Sequence, residues 1–434
     1  GSLRGSMMFE KYDAYKDSGV EWLGQLPENW DLLPNKHIFK LKKNLVGKRS
    51  KEYELLSLTL NGVIKRDMEN PEGKFPAEFD TYQEVKSGDF IFCHFDVEET
   101  PRTVGLSRFD GMITGAYTVY KVNAEKFCPE FLYYFYLNLD TGKRLKPLYK
   151  GLRNTIGKDI FGEFKTFIPN YSEQVKISNF LDQKVTEIDQ AIAIKKQQIA
   201  LLNERKQIVI QKAVTQGLDP NVPMKDSGVE WIGQIPEHWN VKPLKFYIAK
   251  KIDNRGRTPK FGDAGIPMLE VSNITDGDIY PIEKFEKFVL PEVVQRYERD
   301  KVEVGDILIS TVGATSGKVV IIKNKPEYFI CQNVVGFRMS KEINKQFISY
   351  ALMSLYFKTS LMLINKGNTI DNLKVSVFVN NKVLVPSLDE QREIVEFIQH
   401  KLEEINVVIN KYKDQIEKLK EYKTTLINDA VTGK

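Results

Sequence analysis

Basic residues gather at matching places along two stretches of this chain, beside short polar runs. Lys42, Lys43, Lys48, Arg49 and Lys51 form one cluster; Lys250, Lys251, Arg255, Arg257 and Lys260 form another. Lys143, Arg144, Lys146, Lys150 and Arg153 lead into Arg153-Asn154-Thr155-Ile156, and Lys358 and Lys366 lead into Gly367-Asn368-Thr369-Ile370. Ammonium and guanidinium groups neutralise phosphates, while Arg, Asn and hydroxyl groups on loops reach base edges, so these types suit nucleic-acid binding. The candidate DNA-contacting residues are Lys48, Arg49, Lys143, Arg144, Arg153, Asn154, Thr155, Arg255, Arg257, Lys260, Lys318, Lys366, Asn368 and Thr369. Any one cluster also reads as solvated surface; recurrence in both stretches favours binding. The Asn-Thr runs can face DNA, or they can be Asx turns ordering the chain before a strand. Thr59–Asn61 and Ser272-Asn273 read first as structural turns.

Patterns for catalysis fall short. Gly313-Ala-Thr-Ser-Gly317-Lys318 resembles a phosphate loop, but three residues separate its glycines where four are needed. Val319 also stands where a Ser or Thr would hold magnesium. There is no Asn-Pro-Pro-aromatic sequence, no Gly-x-Gly-x-x-Gly after a strand, and no convincing nuclease pattern of paired carboxylates with a lysine. His37, His94, His238 and His400, like Cys93, Cys128 and Cys331, are scattered without metal-ligand spacing, so no metal site is expected. The expectation is a chain without its own catalytic site, holding reduced thiols in the cytoplasm.

Something must hold two basic stretches apart, and the sequence shows what. From Ser172 to Gln216 no Pro or Gly occurs, and Leu181, Val185, Ile188, Ile192, Ile199, Leu202, Val209 and Ala213 recur in steps of three and four, interrupted only at Lys195 and Lys206. That is the apolar seam of a coiled-coil helix roughly 65 Å long. The same series stands 217 residues on, at Ile398, Leu402, Ile405, Ile409, Ile416, Leu419, Leu426 and Ala430, with Tyr412 in place of Lys195 and Lys423 in place of Lys206. The two seams are expected to pair with each other, antiparallel. A second repeat agrees: KDSGVEWLGQLPENW (16–30) and KDSGVEWIGQIPEHW (225–239) are identical at 12 of 15 positions. Its tryptophans, Trp22, Trp30, Trp231 and Trp239, read as an apolar clasp in preference to a stacking platform.

Between the repeats the domains diverge, sharing only landmarks such as Ser87-Gly88-Asp89 and Val304-Gly305-Asp306. The chain ends on Ala-Val-Thr-Gly-Lys, where the central copy runs on into KDSGVEW, so a circular closure is expected if the ends meet. Length allows two or three domains, and 28% charged residues with a net charge of +5 permit a nucleic-acid partner without demanding one. No apolar run reaches membrane-spanning length, and residues 1–6, GSLRGS, read as a cloning remnant before a start at Met7 or Met8.

The duplicated Gly-Val-Glu-Trp…Gly-Gln…Pro-Glu-x-Trp blocks, the Glu-Gln-started helices ending Ala-Val-Thr, and the Gly-Asp and Asn-Thr-Ile landmarks resemble those of specificity (S) subunits of type I restriction–modification enzymes, from about Tyr12 to Lys434. The resemblance implies an α+β chain with two mixed α/β target-recognition domains, separated by two long helices in an antiparallel intramolecular coiled coil, pseudo-two-fold and circularly arranged. It implies an N-terminal segment at 7–32, recognition domains at 33–170 and 242–387, spacer helices at 171–217 and 388–434, and a linker with the repeated block at 218–241. The implied partners are double-stranded DNA, two methyltransferase (M) subunits, and restriction (R) subunits through the complex. The implied cofactors, S-adenosylmethionine on M and ATP with Mg2+ on R, are not bound by this chain. Two other readings stand beside it: a bivalent coiled-coil adaptor for proteins, and a nuclease or methyltransferase whose site carries no recognisable motif.

Overall fold

The computed structural model describes residues 12–20, 23–67, 78–150, 154–254, 259–275, 279–298, 300–313, 316–325, 327–364 and 373–434. The chain forms two compact units, one of residues 1–194 with 414–434 and one of residues 195–413. Each long helix, Tyr171–Gln216 and Leu388–Thr432, therefore gives half its length to each unit.

In unit 1 a four-stranded antiparallel sheet runs in the order Phe39–Lys42, Thr118–Val122, Phe90–Phe92, Val104–Leu106. Against it packs the helix Pro129–Thr141, begun by a proline whose missing N–H has no helical partner to lose. Strand Lys165–Ile168 pairs antiparallel with Asp31–Pro34 and delivers the chain to the first long helix. The core is aromatic: Phe39, Phe90, Phe92, Tyr120, Tyr136 and Phe161 lie with ring centroids 4.8 to 6.0 Å apart, mostly tilted or edge-on, as ring quadrupoles prefer. Added to this sheet are the hairpin Leu56–Thr59/Gly62–Lys65 and the pair Gln83–Val85/Gly111–Ile113.

Unit 2 builds the same sheet from Ile248–Ile252, Val334–Met339, Ile307–Ser310 and Val319–Ile321, with Lys382–Val385 on Asn240–Pro243. Its core is largely aliphatic, with Ile307 and Ile309 where unit 1 has Phe90 and Phe92. The additions differ too: Ile266–Leu269 pairs antiparallel with Phe288–Val289 and parallel with Phe329–Ile330. Helix Lys345–Met353 starts at Asn344, whose side chain caps the N–H groups of Gln346 and Phe347.

The Gly-Asp landmarks have one physical cause in both units. Gly88 and Gly305 sit at φ of 90° and 87°, which a side chain resists. The next residue, Asp89 or Asp306, then turns inward and accepts the N–H of Lys86 or Glu303.

Within each unit the halves of the long helices run antiparallel. In unit 1 Ile177 and Leu181 share a core with Ile427, Ala430 and Val431, while Asp189 meets Lys423 at 2.7 Å. In unit 2 Ile210, Ala213 and Val214 share a core with Ile394 and Ile398, while the Lys195 ammonium lies 5.0 Å over the Tyr412 ring. The two odd members of the repeats thus meet as a cation–π pair, and Lys423 is ion-paired. Leu181, Ile188, Ile192, Ile398, Ile405, Ile409 and Ile416 are buried; Val185, Ile199, Leu202, Val209, Leu402, Leu419 and Leu426 are half-buried. No helix is long and apolar enough to cross a membrane among the described residues.

Candidate nucleic-acid interface

The scaffold fixes each domain through a clasp that explains the repeated blocks. Trp30, fully buried, donates its indole N–H to Glu173 at 3.1 Å, and Trp239 does the same to Glu390 at 3.0 Å. Lys16 and Lys225 donate to the carbonyls of Trp30 and Trp239. The neighbouring glutamines are buried: Gln174 bridges the Pro169 carbonyl and the Cys128 N–H, and Gln391 bridges the Pro386 carbonyl and the Asn344 N–H. Each Glu-Gln pair thereby ties strand, domain helix and long helix into one joint. Trp231 is exposed, while Trp22 lies outside the described residues.

At the other helix ends, Gly217 and Gly433 both take φ of 70°, the left-handed residue that closes a helix. Gly217 lies against Pro236 and Trp239, and Gly433 against Pro27 and Trp30. The last residues of the chain therefore seat on the first repeat block as the central copy seats on the second.

On unit 1 Lys48 and Arg49 are exposed on the 3-10 turn Gly47–Glu52, with the Arg49 guanidinium 5.9 Å over the Tyr53 ring. Asn154 and Thr155 are exposed; Asn154 adopts φ of 45°, a conformation asparagine tolerates, and its carbonyl accepts the Asp96 N–H at 3.0 Å. Thr155 bridges to Phe95 and to Lys150. Lys143 joins this group from the other side, donating to the Thr100 carbonyl at 2.7 Å and to Asp140 at 3.1 Å. Arg144 donates to Asn428 of the second long helix at 3.2 Å, and burial lowers its guanidinium pKa. Lys143 and Arg144 are thus drawn into the fold, whereas Lys48, Arg49, Asn154 and Thr155 lie exposed on its surface. No hydrogen bond among the described residues links Lys48 or Arg49 to the Asn154 loop.

The structure adds exposed carboxylates that charge counting passed over. Asp96, Glu98 and Glu99 lie on the segment that pins the Asn154 loop, with Glu98 paired to Lys146 at 2.7 Å. Carboxylates repel phosphate but can accept from a cytosine amino group, which suits base reading over backbone binding. Beneath them His94 is buried among Phe92, Tyr120 and Phe161, its carbonyl accepting the Ile156 N–H at 2.7 Å. Neither ring nitrogen has a partner, and burial pushes the imidazole down to about 4.

On unit 2 Lys260 is exposed and Lys318 half-buried; Arg255, Arg257, Lys366, Asn368 and Thr369, like Arg153 of unit 1, lie outside the described residues. The Gly313–Lys318 stretch joins two antiparallel strands, with the Gly317 and Ser310 N–H groups bonded back to Ser310 and Lys318 carbonyls, so it lacks the strand-to-helix setting of a phosphate loop. Asn273 is buried and holds the Ile282 and Lys284 carbonyls; Thr59 closes its own hairpin turn. Both act as structural turns. Cys93, Cys128 and Cys331 are buried and unpaired, and no group of three or more His, Cys, Asp or Glu could hold a metal among the described residues.

Residues 236–418 match the family model described as the type I restriction modification DNA specificity domain. The specificity subunit of the MjaVIII type I restriction enzyme of Methanocaldococcus jannaschii is 28% identical over 323 residues, 73% of either chain. A second specificity subunit of that organism, assigned to the MjaX enzyme, is 26% identical over 446 residues, 99% of this chain and 98% of its own. Two solved structures share the fold. One, concerned with complex assembly and conformational transition of the type I R-M system, superposes with a TM-score of 0.66 at 15% identity, covering 94% of this chain and 99% of its own. The other, the HsdS subunit of Thermoanaerobacter tengcongensis, has a TM-score of 0.50 at 14% identity, over 94% and 98%.

Proposed function

We propose that this chain, which belongs to the specificity-subunit family of type I restriction–modification enzymes, reads DNA with two unlike domains mounted on a duplicated scaffold. The observation that carries this reading is the pairing of near-identical clasps, at Trp30–Glu173 and Trp239–Glu390, with domains whose cores and added strands differ. Selection for the same joint and different surfaces is what a bipartite target requires: common mounting, separate half-sites. The adaptor reading is not favoured, since it gives no reason for membership in a DNA-specificity family.

In this reading the chain holds no catalytic site. Methyl transfer belongs to M subunits that bring S-adenosylmethionine, and cleavage to R subunits that use ATP and Mg2+. Two M subunits fit the duplication, one for each clasp. Exposed Leu201, Ile208, Val407 and Phe397 on the helix halves of unit 2 supply apolar surface for such docking. The phosphate contacts come from Lys48, Arg49 and Lys260, and base reading from the Asn154–Thr155 loop with Glu99.

Helix length sets the unread gap between half-sites. Removing one heptad from both long helices shortens each by about 10 Å. Methylome sequencing of cells expressing the chain with its M partner should then report the same two half-sites about three base pairs closer. An unchanged gap defeats the ruler, and no protected sequence at all defeats the DNA-reading assignment.

A further inference from the structure

Along the edge strand Ile248–Ile252 of unit 2 lies a cleft of about 570 Å3 with an apolar floor that includes Phe337 and Val375 and a rim carrying Lys245, Lys251, Lys374 and Ser376. The three lysines are exposed. Lys251 is paired with Asp253 at 2.7 Å, whereas Lys245 and Lys374 have no acidic partner among the described residues; Lys245 lies 5.7 Å over the Phe246 ring.

Unit 1 shows the same place with its charges balanced. The N–H of Leu244 bonds the Asn381 carbonyl as that of Asn35 bonds Phe164, so Lys245 answers to Lys36. Pairing of Lys251 with Phe337 answers to pairing of Leu41 with Tyr120. Helix Val375–Asn380 answers to Lys158–Glu163, which puts Gly157 at the place of Lys374, exposed Lys158 at that of the floor residue Val375, Asp159 at that of Ser376 and Glu163 at that of Asn380, so that two carboxylates balance Lys36 and Lys158. There Lys36 is neutralised by Glu163 at 2.8 Å. One unit has concentrated positive charge at this edge while the other has cancelled it.

We propose that the cleft is a phosphodiester grip on duplex DNA flanking the half-site read by unit 2, and that unit 1 has no counterpart. The proposal rests on the DNA-reading assignment above. Lysines spaced around an apolar floor suit a sugar–phosphate chain, the ammonium groups meeting phosphates and the floor meeting deoxyribose. The cleft also adjoins both recognition stretches in the sequence: Lys374 follows Ile370 by four residues, and Lys251 precedes Arg255 by four.

The test is the salt dependence of binding between the full chain and a 40-base-pair duplex of random sequence. Lys245→Ala/Lys374→Ala should weaken binding about tenfold near 0.15 M salt and reduce the slope of log K against log salt by about 2, because two phosphate contacts are lost. Lys245→Arg/Lys374→Arg should restore the slope, Lys36→Ala should leave it unchanged, and the methylated target sequence should stay the same. A double variant with wild-type slope overturns the grip while leaving the DNA-reading assignment standing. Equal losses from Lys36→Ala overturn the asymmetry on which the proposal depends. A wild-type chain that binds no duplex overturns both readings together.

Discussion

The two domains solve one folding problem with different chemistry. Unit 1 fills its sheet with Phe90, Phe92, Tyr120 and Phe161 and lodges His94 among them; unit 2 uses Ile307 and Ile309, keeps Phe337 and Phe378, and has Thr311 in place of the histidine. Thr311 donates to the Asn333 carbonyl, so unit 2 leaves no unpartnered polar group there. The buried Gly-Asp carboxylate is shared, yet its countercharge comes from different strands: Lys42 for Asp89 at 2.8 Å, and Arg338 in two-pronged fashion for Asp306 at 2.9 Å. Backbone geometry is held in common wherever a domain meets the long helices, while cores and edges vary. The lesson is that a fixed joint frees the rest of each domain to change.

The largest expected difference between the domains lies at that carboxylate. Asp306→Ala removes two charge-assisted bonds from Arg338, leaving its guanidinium to Glu303 at 2.7 Å and the Lys301 carbonyl, and should cost about 3 kcal/mol of unit 2 stability. Asp89→Ala should cost less in unit 1, about 2 kcal/mol, because it removes a single ammonium bond where Asp306 accepts two from a guanidinium. Hydrogen-exchange protection of strands 334–339 and 118–122 reads the two separately, and equal losses would erase the distinction.

A comparable effect should appear with pH in unit 1 only. His94 has a folded pKa of about 4 against about 6.5 when unfolded, so its neutral form is favoured by the fold. Stability from this group is complete above pH 6.5 and falls as pH drops toward 4, by roughly 3 kcal/mol at one pKa unit per 1.36 kcal/mol. His94→Phe should abolish that decline in the protection of strand 90–92, and a variant that still loses it places the acid sensitivity elsewhere.

The smallest contrast concerns the closing glycines. Both are left-handed, so alanine strains each by about 1 kcal/mol. A Cβ at Gly433 would also come within 2.4 Å of the Pro27 ring, whereas at Gly217 its nearest neighbour is the Glu390 carboxylate at 3.2 Å. Gly433→Ala should therefore lower the melting temperature more than Gly217→Ala, and the reverse order would argue against a seated chain end.

Much of this architecture is written in the sequence because it rests on periodicity and repetition. The seam residues from Leu181 to Leu426 follow from spacing alone, since 3.6 residues per turn fixes which side chains share a face. Copying KDSGVEW and the Glu-Gln starts announced two equal joints before any contact was known. The reason those residues recur came only with folding, which places Trp30 beside Glu173, 143 positions away, and sets Lys195 over Tyr412. Candidate contacts were less legible. Lys143 and Arg144 look like Lys48 in a string of letters, and only packing shows that Asp140 and Asn428 hold them. Likewise Lys245 and Lys36 occupy equivalent positions, but a carboxylate six residues into a neighbouring helix decides which ammonium stays available. Local pattern sets elements and their faces; the pairing of charge across long separations is a property of the folded surface, where Coulomb attraction acts over a few ångströms whatever the distance along the chain.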